Sequence, residues 1–293
     1  MLALLGAIAF SGKAIIVKLA YRYGVDAVTL LMYRMLFGLP LFAALAWWAG
    51  RGKPALNWRD RGIVFGLGLT GYYLASFLDF AGLAYISASL ERLILYLNPT
   101  LVLLIGLFVF RHPVRPAQWG ALALSYGGVM LVFGHELWHR GAGRADGAPL
   151  AEIGLGAGLV LASAVSYAIY LAGSGQVVRR IGSLRLTGLA TSVACLLCIG
   201  QFLLLRPLSA ALVAPEVIGL SLLNTLLCTF APVLMVMMAI ERIGAAAAAQ
   251  AGMIGPLSTL MMGVWLLDEP FTLWLAAGTV LVLTGVAWLS RQR

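Results

Sequence analysis

One stretch of the chain occurs twice, and this repetition decides the fold. The first copy, residues 86–113, reads ISASLERLILYLNPTLVLLIGLFVFRHP, and the second, residues 243–270, reads IGAAAAAQAGMIGPLSTLMMGVWLLDEP. With a shift of 157 residues the two copies align without a gap, so that Pro99 meets Pro256. The chain of 293 residues is therefore predicted to consist of two copies of one unit.

The composition excludes an ordinary soluble protein. Hydrophobic residues make up 62% of the chain and charged residues 11%, with a mean hydropathy of +0.97, whereas soluble domains have about half apolar and about a quarter charged residues. Apolar stretches long enough to cross a bilayer as an α-helix recur along the chain. The sequence predicts an all-α integral membrane protein with ten transmembrane helices, which we number spans 1 to 10: 2–20, 27–49, 62–83, 86–110, 115–134, 152–174, 184–205, 215–239, 243–267 and 271–290.

The two units are predicted to be inverted relative to each other. Residues 1–134 form the first repeat with spans 1 to 5, residues 135–151 form a flexible linker, and residues 152–293 form the second repeat with spans 6 to 10. Because each repeat has an odd number of spans, the second copy enters the membrane from the opposite side. Many secondary transporters obtain two mirror-related states around a central cavity in this way, so the organisation favours a transporter.

The net charge of +9 orients the chain in the membrane. If the N-terminus is cytoplasmic, most of the arginines and lysines between the spans lie on cytoplasmic segments, and the positive-inside rule places both termini in the cytoplasm. The surplus charge is thus explained without a nucleic-acid partner. We expect the lipid bilayer and a small-molecule substrate as partners, and a chain that functions as a monomer.

Spans 4 and 9 each carry a proline near mid-membrane depth. Pro99 follows Asn98 in span 4, and Pro256 follows Gly255 in span 9. A proline removes a backbone hydrogen bond and clashes with the preceding turn of a helix. Matching helix breaks in the two halves of a transporter point to its substrate site and gate, although transmembrane helices also tolerate proline without such a role. Pro99, Gly255 and Pro256 are therefore predicted hinge residues.

Five charged residues are predicted to lie inside the spans: Lys13, Arg34, Asp79, Glu91 and Arg92. Each costs about 2.5–3.5 kcal/mol if it is unpaired at the membrane centre, so these side chains should face a cavity or one another. Two interpretations stay open, a structural ion-pair lock and a site for substrate ions or protons. Lys13 and Arg34 could also be residues near helix ends whose charged groups reach the interface.

Uncharged polar residues recur at helical spacing on several spans. Such groups belong toward the interior of a helix bundle, although each alone is more often a contact between helices. Together with the two carboxylates they give the predicted substrate-binding set of a polar central cavity: Tyr72, Ser76, Asp79, Glu91, Tyr96, Asn98, Tyr167, Tyr170, Asn224 and Gln250.

One enzyme-like motif needs an interpretation. Residues 135–139 read HELWH, which matches the HExxH zinc motif of metalloproteases. The motif lies where span 5 runs into a glycine-rich connection, and His112, the remaining histidine, is predicted on the opposite face of the membrane. We therefore favour the end of an amphipathic helix at the interface, and we predict no catalytic site, no metal and no cofactor.

The pattern around the repeated block resembles the drug/metabolite transporter superfamily, and within it the EamA-type exporters. Each copy has a small-residue start, a mid-helix proline, and a charged pair with proline before the last span. In this sequence these are Ser87-Ala88-Ser89, Pro99 and Arg111-His112-Pro113, then Gly244-Ala245-Ala246, Pro256 and Asp268-Glu269-Pro270. Arg-His-Pro in the first copy departs from the usual acidic form.

The resemblance implies a basket of ten helices, in which spans 3, 4, 8 and 9 line the cavity and spans 1, 2, 6 and 7 rock during alternating access. Within the family, the sequence is similar above all to bacterial inner-membrane exporters of amino acids, including aromatic ones. Cargo does not follow from a fold, so other small molecules (drugs, nucleotide sugars or purines), a lipid flippase and a membrane enzyme stay as alternatives.

Overall fold

The structure is a computed structural model that describes residues 2–110, 116–141, 148–235 and 254–291. Within these ranges the chain is helical and contains no strand. The α-helices are Leu2–Tyr21, Ala27–Gly50, Trp58–Gly68, Ala75–Leu83, Ala88–Leu95, Asn98–Phe110, Pro116–Gly141, Ala148–Ile181, Ser183–Leu205, Pro215–Thr225, Ile254–Leu267 and Leu273–Ser290, joined by the π-helical segments Leu69–Leu74 and Leu226–Phe230 and the 3₁₀ turn Leu208–Ala211.

Eight helical stretches of the described part are long and apolar enough to cross a membrane. They correspond to spans 2 to 8 and span 10 of the sequence. Span 1 is a helix of 20 residues, Leu2–Tyr21, and span 9 contributes the shorter apolar helix Leu257–Leu267. Residues 243–253 of span 9 lie outside the described residues, as do Gln250 and the Gly244-Ala245-Ala246 segment.

Polar residues in the connections start several of these helices. The Asp26 carboxylate accepts hydrogen bonds from the first backbone N–H groups of span 2, and Asn57 does the same for span 3. Ser87 and Thr272 cap the helices that begin at Ala88 and Leu273. Such caps satisfy N–H groups that have no partner inside the helix. The capping residues therefore help to fix where each helix begins.

Each major contact between helices joins one half of the chain to the other. Span 2 packs on span 7, span 5 on span 10, and span 4 on span 9. Span 3 packs on span 6, and its counterpart in the second repeat, span 8, packs on span 1. In the same way span 4 packs on span 6, and its counterpart, span 9, packs on span 1. Exchanging the halves maps these contacts onto one another. The inverted relation of the two repeats stays a prediction from the sequence.

Spans 5 and 10 approach so closely that Gly128, Gly278 and Gly285 leave no room for a Cβ. A Cβ added to Gly128 would lie 2.6 Å from the carbonyl oxygen of Gly278, and a Cβ added to Gly285 would lie 2.7 Å from that of Ala121. Gly128 and Gly285 meet in the repeat alignment. Backbone approach through small residues is a common means of helix association in membranes.

The two π-helical segments begin at Leu69 and Leu226, again 157 residues apart. A π-helical turn shifts the following side chains around the helix and loosens the regular hydrogen-bond ladder. Side chains bond to carbonyl groups there: Ser166 donates to the Thr70 oxygen at 2.8 Å, and Thr229 donates to the Asn224 oxygen at 3.1 Å. These segments set the direction of the polar side chains in spans 3 and 8.

Span 4 is interrupted at its centre. Its first helix ends at Leu95 and its second begins at Asn98, so that Pro99 lies in the first turn of the second helix. In span 9 the described helix begins at Ile254, directly before Gly255.

The connection between the halves is helical wherever it is described. The helix of span 5 continues to Gly141, and the helix of span 6 begins at Ala148. Residues 135–141 and 148–151 of the predicted flexible linker therefore belong to helices. The remaining residues, 142–147, lie outside the described ranges, as does the Arg111-His112-Pro113 segment.

Candidate functional site

A buried ion-pair cluster joins spans 1, 3 and 4. The Lys13 ammonium lies 2.5 Å from Asp79 Oδ2 and 3.4 Å from Glu91 Oε1. Lys13 is 7% exposed, Asp79 2% and Glu91 0%. One cation therefore serves two carboxylates away from water. We call Lys13, Asp79 and Glu91 the acidic cluster.

Three carboxylate oxygens of the acidic cluster accept no hydrogen bond from the described residues. Among the described residues, no group donates a hydrogen bond to Asp79 Oδ1 or to either oxygen of Glu91. The 3.4 Å contact between Lys13 and Glu91 is thus an ion pair without hydrogen-bond geometry. Buried acceptors normally have a partner, so these oxygens are suited to a donor that arrives with a ligand.

Arg92 ties span 4 to spans 1 and 9 beside the interruption of span 4. Its Nη2 donates to Ser11 Oγ at 2.9 Å, and Ser11 Oγ donates in turn to the carbonyl oxygen of Gly255 at 2.9 Å. The guanidinium also lies over the rings of Phe10 and Tyr96. A Cβ on Gly255 would lie 2.7 Å from the Tyr96 hydroxyl. The predicted hinge residue Gly255 is thus in direct contact with the charged part of span 4.

Arg34 of span 2 is held by span 8. Its Nε donates to Thr229 Oγ1 at 3.2 Å, and its guanidinium carbon lies 5.2 Å from the centre of the Phe80 ring. Its Nη1 is buried and has no hydrogen-bond partner among the described residues. The sequence offers both Lys13 and Arg34 to the carboxylates, and the structure gives the direct ion pairs to Lys13.

Three of the four predicted site tyrosines, Tyr72, Tyr167 and Tyr170, form a separate group. The hydroxyl groups of Tyr72 and Tyr170 lie 3.3 Å apart, and the Tyr170 ring stacks on that of Tyr167 at 5.5 Å between centres. They pack with Val64, Leu67 and other apolar residues of spans 3, 6 and 7. These tyrosines contact one another, and no described contact joins them to the acidic cluster.

The remaining candidates lie in several places. Asn98 follows the interruption of span 4, and Asn224 precedes the π-helical segment of span 8. The side-chain oxygens of both are buried without a hydrogen-bond partner among the described residues. Ser76 lies in span 3, one turn before Asp79, and is partly buried.

A cavity of about 650 Å³ opens at the predicted outer face. Its walls include Lys18, Ser87, Ser89, His135, Glu136 and Glu269. Glu136 accepts hydrogen bonds from the Ser87 N–H at 3.0 Å and hydroxyl at 2.9 Å. Within the described ranges, no three His, Cys, Asp or Glu side chains are arranged to hold a metal ion. The hydrogen bonds from Ser87 thus connect Glu136 of the HExxH motif to the start of span 4.

Glu269 holds the same end of span 4. Its carboxylate accepts hydrogen bonds from the Ala88 N–H at 2.7 Å, the Ser89 N–H at 3.3 Å and the Ser89 hydroxyl at 2.7 Å. Negative charge at a helix N-terminus is also favoured by the helix dipole. Glu136 and Glu269 thus both accept hydrogen bonds from the first residues of span 4 at its outer end, and we call these two residues the outer latch.

Sequence reasoning missed Ser11, Thr229 and the two carboxylates of the outer latch as contact residues. Ser87-Ala88-Ser89 and Asp268-Glu269-Pro270 were visible as motifs, but their mutual contact depends on the packing of distant spans. The repeat holds a signal for Thr229, because with the shift of 157 residues it meets the candidate Tyr72 in the first π-helical segment.

Charged pairs lie at both ends of the bundle. At the predicted cytoplasmic face Arg180 pairs with Asp60, and Arg185 donates to the Pro54 carbonyl. At the predicted outer face Asp26 and Arg206 lie 3.2 Å apart. Burial raises the pKa of Asp26, but hydrogen bonds from Thr29 and the charge of Arg206 outweigh this effect and hold the pKa below its ordinary value of 3.8.

Comparisons with known proteins agree with this architecture. The model of the EamA-like transporter family matches residues 1–134 and 154–291. The uncharacterized transporter YcbK of Bacillus subtilis (strain 168) is 28% identical over 300 aligned residues, which cover 97% of this chain and 91% of that protein. A crystal structure of another protein, 20% identical, superposes with a TM-score of 0.63 over 99% of this chain and 96% of the other, which shows the likeness of fold. This multi-pass membrane chain therefore belongs to the EamA-like transporter family.

Proposed function

We propose that this transporter exports small polar metabolites, and amino acids in particular, by alternating access around the acidic cluster. The observation that carries the proposal is the set of buried carboxylate oxygens of Asp79 and Glu91 that lack donors. A charged group inside a membrane bundle is by default a candidate for the substrate or ion pathway. The ammonium group of an amino acid supplies three donors and one positive charge to these oxygens.

The charges of the cluster favour a cargo with an ammonium group. Lys13 alone lies within ion-pair distance of the two carboxylates among the described residues. A second ammonium would therefore bring the positive and negative charges of the cluster into balance. Hydrogen bonds to charged groups contribute about 1.5–3 kcal/mol each, which is enough to select such a cargo over a neutral one.

The interruption of span 4 supplies the movement. The segment between Leu95 and Asn98 has left the regular helix, and Pro99 prevents a continuous hydrogen-bond ladder across it. Gly255 lies against the same region through Ser11 and Arg92, and Pro256 follows it in the chain. We place the hinge at these residues, so that the cluster is exposed alternately to the two sides of the membrane.

Uptake of labelled amino acids into liposomes that contain the purified protein tests the proposal. The wild type should show saturable uptake that excess unlabelled amino acid blocks. Glu91→Gln and Asp79→Asn should reduce it strongly, whereas Glu216→Gln, which changes an exposed carboxylate at the start of span 8, should not.

The outcomes of this assay separate the alternatives. A response to an imposed pH gradient that disappears in Glu91→Gln would identify the cluster as a proton-coupling site as well. An absence of uptake for every amino acid would overturn the proposed cargo and direct the search to drugs, nucleotide sugars, purines or lipids. Uptake that is unchanged in both cluster variants would overturn the proposed site.

A further inference from the structure

The buried charges of the spans do not balance. Apart from Asp60, which pairs with Arg180 at the start of span 3, five charged side chains of the described spans are buried. Three are cations and two are carboxylates, and all are at most 7% exposed: Lys13, Arg34, Arg92, Asp79 and Glu91. One positive charge is therefore in excess. An uncompensated charge inside a membrane is costly, so a group that supplies a negative charge would bind favourably here.

Arg34 and Arg92 each have one buried guanidinium nitrogen that donates to no acceptor among the described residues, Nη1 in Arg34 and Nε in Arg92. In Arg92 the Nη2 on the same edge as Nε is already bonded to Ser11, so we take Arg34 as the cation that is open to a ligand. Lys13 takes both carboxylates, and Arg92 is bonded to Ser11 and lies over two aromatic rings. Among the described residues Arg34 has no carboxylate within ion-pair distance, and its Nη1 donates to no acceptor. Arg34 is 6% exposed. A guanidinium presents its donors in a planar fork that matches a carboxylate.

The residues around Arg34 hold it in place without accepting a hydrogen bond from its Nη1. Thr225 donates from its hydroxyl to the Arg34 carbonyl oxygen at 2.9 Å, which fixes the backbone of span 2 against span 8. Thr229 accepts from Arg34 Nε at 3.2 Å and donates to the Asn224 carbonyl oxygen at 3.1 Å. Because Thr229 lies in the π-helical segment of span 8, this segment positions the guanidinium.

We infer that Arg34 binds the carboxylate of the cargo, opposite the acidic cluster that binds its ammonium group. This inference rests on the proposed function and names its substrate class, which is compounds that carry a carboxylate. The cargo would place its negative charge against Arg34, which has no carboxylate partner among the described residues, and its positive charge against the oxygens of Asp79 and Glu91 that accept no hydrogen bond. Arg34 is then the residue that distinguishes an acid from the corresponding amide.

The test compares a carboxylate with an amide of the same shape. Thermal unfolding of the purified protein is followed while sodium 3-phenylpropionate or 3-phenylpropionamide is added. The carboxylate should stabilise the wild type in a saturable manner, at a concentration about tenfold or more below that at which the amide acts, because hydrogen bonds to charged groups are the stronger ones. In Arg34→Gln this preference should fall below about twofold.

Two further variants complete the test. Arg61→Gln, at an exposed arginine in the first helix of span 3, should keep the full preference. Arg34→Lys keeps the charge but not the planar fork, and should keep a reduced preference. It also serves if Arg34→Gln does not fold, since a preference in Arg34→Lys equal to that of the wild type would count against the inference.

Binding of the acid and the amide with equal strength by the wild type would overturn the inference, as would a full preference in Arg34→Gln. Because the readout is stability and not transport, these results are independent of the uptake assay. A protein that takes up no amino acid but still prefers the carboxylate through Arg34 would refute the proposed cargo and support the carboxylate site.

Discussion

Removal of the Lys13 charge tests the energetics of the acidic cluster. Lys13→Gln removes the cation that lies 2.5 Å from Asp79 and 3.4 Å from Glu91, and leaves two buried carboxylates close together. The loss of one partner of a buried ion pair lowers the free energy of unfolding by about 3–5 kcal/mol. Asp79→Asn should cost less, about 1.5–3 kcal/mol, because Glu91 still pairs with Lys13 and mainly one charged hydrogen bond is lost.

The measurement is the free energy of unfolding of the purified protein, taken from denaturant titration under conditions where unfolding is reversible. Lys53→Gln, at an exposed lysine, is the control and should change the value by about 0.5 kcal/mol or less. The triple variant Lys13→Gln, Asp79→Asn and Glu91→Gln should recover much of the loss, because no uncompensated charge of the cluster then remains. The reasoning is refuted if Lys13→Gln costs no more than Lys53→Gln, or if the triple variant is less stable than Lys13→Gln.

Three other predictions concern different parts of the molecule. Glu269→Gln should lower the free energy of unfolding by about 1.5–3 kcal/mol, because it weakens charge-assisted hydrogen bonds at the start of span 4; an equal loss in a Ser89→Ala background would contradict a contact between the two residues. Gly255→Ala should destabilise by about 1–3 kcal/mol through overpacking against the Tyr96 hydroxyl, and Tyr96→Phe should restore part of the loss in the double variant; no restoration would show that the clash lies elsewhere. Because the pKa of Asp26 is lower in the folded protein than its ordinary value, its contribution to stability is present above about pH 4 and is lost as the pH falls through the folded pKa. The stability difference between the wild type and Asp26→Asn should therefore shrink on acidification below pH 4, and a difference that stays constant in thermal unfolding would contradict this assignment.

The helical class and the family could be predicted from the sequence because both depend on long-range regularities. The repeat with its offset of 157 residues, the apolar spans and the paired prolines can be recognised without knowing how the helices pack. The charged residues of spans 1, 3 and 4 were also identifiable, since a charge in an apolar span needs a partner.

The choice of partners was beyond the sequence. Nothing in the order of residues shows that Lys13 contacts both carboxylates while Arg34 bonds to Thr229. The π-helical segment Leu69–Leu74 is one physical reason, because a helix period of 3.6 residues does not give the directions of side chains that follow such a segment. The interruption between Leu95 and Asn98 has the same effect in span 4.

The outer latch illustrates a second limit. The sequence places Glu136 in a zinc-like motif, whereas the structure shows its carboxylate bonded to Ser87. A motif of five residues carries little information, because it contains neither the third ligand nor the surrounding fold of a zinc site. Contacts between Glu136, Glu269 and the start of span 4 arise from residues 49 and 181 positions apart, which no local pattern connects.

Equilibrium binding of a labelled amino acid to the purified protein tests the central claim most directly, namely that the acidic cluster binds the cargo. The amino acid with the highest uptake is titrated against the wild type, Glu91→Gln and the exposed control Glu216→Gln. The account predicts that Glu91→Gln weakens binding about tenfold or more, since it removes a charged hydrogen-bond acceptor, while Glu216→Gln binds as the wild type does. Equal affinity in the wild type and a folded Glu91→Gln would contradict the account.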